Sequence, residues 1–297
     1  METWKRTVYI SLVCVFCTAF GVSQLAPILP LYFHDLGVQT PEAMSLWSGL
    51  ATGATYIIVC LAAPFWGRVA DKKGRKITLI RSSFGMALCN ALIAFQTTPE
   101  GVVLIRLIQG LVSGFYSASI TLIASETPIE RTGWALGLLA SANLAGSLIG
   151  PLLGGYIADT VGIRNDFIIV GALMGLAGVL ATIFIHENYV PKPNPEKLSI
   201  RKLKEQIPEF NSIVALCVAS FIYAICIMSL QPVISVYIKG IVPSDTENLA
   251  FIAGAVFSAM GIAQLMSSSP LGKLVDKIGP RKVYISSPSS DSYKVLV

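Results

Sequence analysis

Gly67-Arg68-Val69-Ala70-Asp71-Lys72-Lys73-Gly74-Arg75-Lys76 is a basic decapeptide set between two apolar runs, residues 43–66 and 77–96. Its glycines permit a tight reversal, its cations hold the loop on one side of a bilayer, and Asp71 stands one helical turn before Arg75. The pattern returns 205 residues later as Gly272-Lys273-Leu274-Val275-Asp276-Lys277-Ile278-Gly279-Pro280-Arg281-Lys282. The same offset carries Pro27 and Tyr32 onto Pro232 and Tyr237, and Gly49 and Ala54 onto Gly254 and Ala259. One register held through two apolar runs and the loop after them marks an internal repeat of two halves running in the same sense.

Working outward from the loop, apolar runs dominate the chain. Hydrophobic residues make up 54% of it and charged ones 13%, with a mean hydropathy of +0.68, so lipid is the solvent for most of its surface. A bilayer core about 30 Å thick takes roughly 20 apolar residues as a helix. Eight spans fit that length: residues 7–33, 43–66, 77–96, 101–125, 134–158, 166–185, 212–238 and 248–268. The alternation of a membrane β-barrel is absent, and the first run is too long for a secretory signal and has no small-residue cleavage site. All six cysteines (Cys14, Cys17, Cys60, Cys89, Cys217, Cys226) fall inside these spans, so neither disulfides nor a metal site is expected.

Basic residues set the orientation. With the N-terminus in the cytoplasm, 18 of the 22 Lys and Arg lie on the inside and two, Arg164 and Lys239, outside. Arg106 falls within a span and Lys294 in the tail. The net charge of +5 is a topological signal, and nucleic acid is not an expected partner. The organisation that follows is a six-helix bundle over residues 1–186, a cytoplasmic linker over 187–211, and two helices of a second bundle over 212–283. The linker carries Pro191, Pro193 and Pro195 and then an amphipathic basic stretch, either a lipid-surface contact or a solvated connector. Residues 284–297 match neither a helix nor their repeat partner, so the second half is expected to be truncated.

Three spans carry further patterns. The fourth contains Arg106, Gln109, Ser113 and Ser117 on one helical face, with Tyr116 beside them. An arginine there costs at least about 2.5–3.5 kcal/mol unless it meets a wet cavity, a partner or, by snorkelling, the interface. The fifth reads Gly146-Ser147-Leu148-Ile149-Gly150-Pro151-Leu152-Leu153-Gly154-Gly155, a flat small-residue face for close helix approach with a proline that bends it. The first holds Gln24, Pro27, Pro30 and Tyr32.

The 67–76 loop resembles the G-x-L-A-D-x-x-G-R-K signature of the major facilitator superfamily, with Val69 a departure. Arg106 to Gly110 resembles its R-x-x-Q-G motif, and Gly146 to Gly155 its G-x-x-x-G-P-x-x-G-G motif of exporters. The first helix, with Trp47-Ser48-Gly49, Pro64-Phe65-Trp66-Gly67 and Gly133-Trp134-Ala135-Leu136-Gly137, is similar to the drug:proton antiporters of that superfamily. The resemblance runs from residue 4 to about 283. It implies an all-α integral membrane protein of the major facilitator fold, with about eight transmembrane helices present. It also implies a gating role for Gly67, Asp71, Gly74 and Arg75, and exporter geometry for Gly146, Gly150, Pro151, Gly154 and Gly155.

The implied activity is proton-coupled efflux of small amphiphilic molecules by alternating access, in the plasma membrane, as a monomer. No phosphate-binding loop is present, so no cofactor is expected and the proton gradient is the energy source. No Asp or Glu lies deep within any of the eight spans. Asp35, at the outer end of the first, is therefore expected to form a charge relay with Arg106. Gln24, Tyr32, Gln109, Ser113, Tyr116, Asn143, Tyr223 and Gln231 are the expected cavity lining, suited to amphiphiles better than to sugars. Nutrient uptake and a non-transporting membrane protein stay open as alternatives. An enzyme is not expected, because no His, Asp, Ser or Cys cluster stands at helical spacing near a midplane.

Overall fold

The computed structural model describes residues 3–187, 218–219, 221–222, 225–226, 233–241 and 248–278, with side chains in the last stretch through Ala263 and at Met266. Everything regular among them is helix: α1 (Thr3–Ser23), α2 (Leu25–Asp35), α3 (Pro41–Lys73), α4 (Arg75–Ala94), α5 (Pro99–Val112), α6 (Phe115–Glu126), α7 (Ile129–Val161), α8 (Ile163–Phe184) and α9 (Leu249–Ile278). Residues 233–241 are also helical. Among the described residues six segments are long and apolar enough to cross a membrane, with a shorter apolar helix at Leu249–Ala263. They fall on the first six expected spans and the eighth. The seventh span, the linker and the tail lie largely or wholly outside the described residues.

Local sequence explains the boundaries. Thr40 and Thr98 each precede a proline, and their hydroxyls accept from the amides of Ala43 and Gly101, both at 3.3 Å, capping α3 and α5. At Gly74, φ +92° is available to glycine alone without strain, and there α3 stops and α4 begins. Asp71 and Arg75 therefore sit on different helices, on either side of the reversal, not one turn apart on one helix.

Two expected spans are corrected. The first is broken at Gln24 into α1 and α2; Pro27 has no N–H for the carbonyl of Ser23, so the ladder lapses there. The fourth is broken at Ser113–Gly114 into α5 and α6, with Ser113 extended and Gly114 left-handed at φ +110°. The single stripe expected from Arg106 to Ser117 is thus split between two helices.

The bundle is inverted relative to a water-soluble protein. Large apolar side chains point outward, Leu61 being 71% exposed, while Ser82, Ser83, Asn90, Gln24, Arg106 and Asp166 are buried. In lipid the outer surface loses nothing by being apolar. Helix α4 packs on α8, α3 on α5, and α7 lies between α1 and α9. A core of Tyr32, Phe33, Ile93 and Phe167 extends to Ala250 of the second half.

Candidate functional site

Helix α7 makes its two most extensive contacts, with α1 and α9, through the residues of the glycine–proline motif. A Cβ on Gly146 would stand 2.6 Å from the Phe16 carbonyl oxygen, and one on Gly150 or Gly154 would collide with Ser23 or Gln24, so this face is sealed against α1. The other face meets the second half. A Cβ on Gly155 would strike the Ala250 carbonyl, and one on Gly254 the Pro151 carbonyl. Polar contacts accompany this packing: Ser258 Oγ donates to the Leu148 carbonyl at 2.6 Å, and Asp159 accepts from the amides of Ala250 and Phe251 at 3.1 and 2.7 Å. The carboxylate of Asp159 thereby caps the positive end of α9.

At the end of the bundle that carries the basic loops, a cavity of about 290 Å³ opens between α3, α4, α5 and α6, lined in part by Trp66, Gly67, Asp71, Arg75, Ser113 and Ser117. Arg81 forms one wall. Its guanidinium stacks 3.6 Å from the Trp66 ring centroid and donates to the carbonyls of Leu111 (2.9 Å) and Ser113 (2.8 Å). Trp66 Nε1 adds a bond to Leu111 O at 2.8 Å. These carbonyls end α5 at the break, where no following turn can satisfy them. Arg81 lies two turns into α4, within the expected 77–96 span, and holds the break in place.

The reversal at Gly74 is held by a residue that sequence reading passed over. Glu187, just past α8, accepts from the amides of Arg75 (2.8 Å) and Lys76 (2.7 Å), the first two of α4. Beside it, Arg6 Nη2 lies 2.9 Å from His186 Nδ1. The ends of α1, α4 and α8 are thus joined around the 67–76 loop.

The expected relay pair is not brought together. Arg106 is buried and donates to Gln109 Oε1 at 2.7 Å, so it neither snorkels nor faces Asp35. The groups acting on it electrostatically are Tyr56 and Cys89. Asp35 is exposed at the end of α2, 3.8 Å from His34, and acts instead on Tyr32 and Lys239. Nor do the expected cavity residues share one wall. Tyr32 is fully buried, donates to Ile93 O at 2.7 Å and packs edge-on against Phe167, with ring centroids 5.1 Å apart. Tyr116 is exposed, Asn143 half-buried, and Ser113 alone of the group lines the cavity above. Tyr223 and Gln231 lie outside the described residues.

One acid outside the expected site set is buried all the same, at the end of its span and not deep within it. Asp166, in the first turn of α8, is fully buried, and its Oδ2 accepts from Gln24 Nε2 at 3.0 Å. Its position as first residue of an apolar run made it look like a loop acid. The partner that encloses it stands 142 positions earlier, at the α1–α2 break.

Among the described residues, six membrane-length helical segments, an inward polar set and a further helix from a repeated half, clasped by the glycine face of α7, define a multi-pass membrane bundle. The sequence model of the Major Facilitator Superfamily matches residues 11–288, and the chain belongs to that family. It is 37% identical over 284 residues to the multidrug resistance protein MdtG of Proteus mirabilis, a match covering 96% of this chain and 70% of that one. To MdtG of Dickeya zeae it is 38% identical over 283 residues, covering 95% and 69%. Among solved structures it resembles a D-xylose–proton symporter with a TM-score of 0.58 at 16% identity, covering 92% of this chain and 68% of that one. It also resembles an autoinhibited POT family peptide transporter, with a TM-score of 0.55 at 15% identity. The chain spans just over half of that peptide transporter, 54% of its length. These structures share the major facilitator fold.

Proposed function

We propose that the chain acts in proton-driven export of small amphiphilic molecules, by alternating access of its two halves in the plasma membrane with the N-terminus in the cytoplasm. The observation that carries this reading is the position of α7. Its Gly146–Gly155 motif packs against α1 of its own half and α9 of the other, so a tilt of one half against the other must pass through it. The MdtG relatives, named for multidrug resistance, support the substrate class. The outward apolar surface fits a bilayer as the surrounding partner, and small molecules drawn from it as cargo.

The energy source in this reading is the proton gradient, which yields about 2.3 kcal/mol per charge per 100 mV. Arg106 with Gln109 is a buried polar centre on the route between the two ends, and the 67–76 loop with Glu187 is the inner gate. The test is accumulation of a lipophilic cationic dye in drug-sensitive bacteria expressing the chain. Lower accumulation, restored to the control level by a protonophore and by Gly150→Leu, is expected. Accumulation equal to that of empty-vector cells, or a reduction indifferent to the protonophore, would overturn the reading.

A further inference from the structure

Gln24 and Asp166 are both fully buried, and between them the structure shows one hydrogen bond, Nε2 to Oδ2 at 3.0 Å. Each also carries an oxygen that meets no donor among the described residues, Oε1 on Gln24 and Oδ1 on Asp166. Two buried acceptors left over beside a single amide–carboxyl bond are what an amide and a carboxyl group show when one proton is missing from the account. An ionised carboxylate in a dry interior with one neutral donor is costly, and such a group ordinarily takes up a proton. A proton on Oδ1 turns it into a donor for Oε1, and the pair closes as a two-bond acid–amide ring that leaves neither oxygen orphaned.

The charged and titratable groups on the surrounding elements are engaged elsewhere. Arg164 of α8 donates to Gln96 O at 3.4 Å, and the Tyr32 hydroxyl of α2 donates to Ile93 and Gln96 carbonyls. Asp159 of α7 is bound to the first amides of α9. On α4, Cys89 is within electrostatic reach of Arg106 of α5, and the neutral Asn90 donates to Met86 O and Met174 Sδ. On α1, Cys14 donates to the Ala177 carbonyl and Cys17 is buried nearby. Among the described residues no cation on these elements bonds to Asp166, so a proton is the charge that fits.

We propose that Asp166 and Gln24 form a proton-binding site of this chain, in which the protonated carboxyl donates to Gln24 Oε1 while Gln24 Nε2 donates to Oδ2. The site sits where coupling would need it. Gln24 occupies the break between α1 and α2, and its side chain fills the space left by Gly154 of α7, one residue before the contact of Gly155 with α9. Loss of the proton leaves a charged carboxylate facing an amide oxygen, a repulsion relieved by moving Gln24 off the α7 face. Proton binding and the seating of α7 are thereby linked. That role rests on the reading of proton-driven export; the protonation itself does not.

The test is an infrared pH titration of the whole chain in lipid nanodiscs, with no gradient and no drug. The wild type should show a protonated-carboxyl C=O band at neutral pH that is absent from Asp166→Asn and retained in Asp35→Asn. Gln24→Leu should keep the band and move it to higher frequency, because the carbonyl has lost its donor; this variant assigns the band even if Asp166→Asn fails to fold. A wild-type spectrum without the band, or a band unmoved by Gln24→Leu, overturns the proposal whatever the chain transports. A band that behaves as expected in a chain that exports no dye supports the proton site and overturns the export reading alone.

Discussion

Arg81 illustrates how much one side chain can settle at the residue scale. Its charge satisfies two carbonyls freed by the α5–α6 break while its flat face stacks on Trp66, uses for which lysine lacks the geometry. Hydrogen bonds to a charged group contribute about 1.5–3 kcal/mol; without Arg81 the Leu111 carbonyl keeps its bond from Trp66 Nε1, and the Ser113 carbonyl is the one that loses its donor. Arg81→Met is therefore expected to lower stability by about 1.5–3 kcal/mol and Arg81→Lys by less, read as the thermal midpoint in detergent with Trp fluorescence as probe. Equal midpoints for wild type and Arg81→Met would show that the break is held by other contacts. Asp166 shows why such an enclosed charge is hard to see in a sequence. A charge at the edge of an apolar run looks like a loop residue, because one sequence gives no sign of the distant group that encloses it.

Elements were far more legible than their interruptions. Long apolar runs fixed six crossings, since hydrocarbon thickness demands their length and a lipid-facing backbone must bond to itself. The breaks at Gln24 and at Ser113–Gly114 were written only in Pro27 and Gly114, weak signals against that background. The α7 motif was read correctly as a close-packing face, but its two partners, α1 and α9, came from the coordinates. Glycines elsewhere on the same helix provide the control. Gly133 and Gly137 have open space where a Cβ would stand, so alanine there should be neutral or stabilising by up to about 1 kcal/mol through helix propensity. Gly146→Ala must displace Phe16 backbone and should cost about 1–3 kcal/mol. Thermal midpoints that fail to separate these two groups would deny α7 its tight seat on α1. At the basic end, Glu187→Ala removes the acceptor for two α4 amides and should cost about 1 kcal/mol, with faster hydrogen exchange confined to Arg75 and Lys76. Unchanged exchange at those amides would remove Glu187 from the proposed inner gate.

At the scale of the molecule, the question is what joins the six-helix bundle to the helix of the repeated half. The contact combines backbone approach at Gly155 and Gly254, a hydroxyl bond from Ser258 and the carboxylate of Asp159 on the first amides of α9. Only the last of these can be weakened without changing shape. Asp159→Asn keeps the side-chain outline but removes the charge that complements the positive helix end, and one of the two acceptor oxygens. A loss of about 1–2 kcal/mol is expected, which multiplies local opening by a factor of about 5–30. Hydrogen exchange should therefore quicken by that factor at Ala250 and Phe251, while amides within α8, a helix of the bundle that does not lean on α9, keep their wild-type rates. Such a split would mean that the halves can part at this end without loosening the bundle, the motion that alternating access requires. Faster exchange throughout α8 as well would mean that Asp159 holds the bundle itself together and that α9 is one more of its helices.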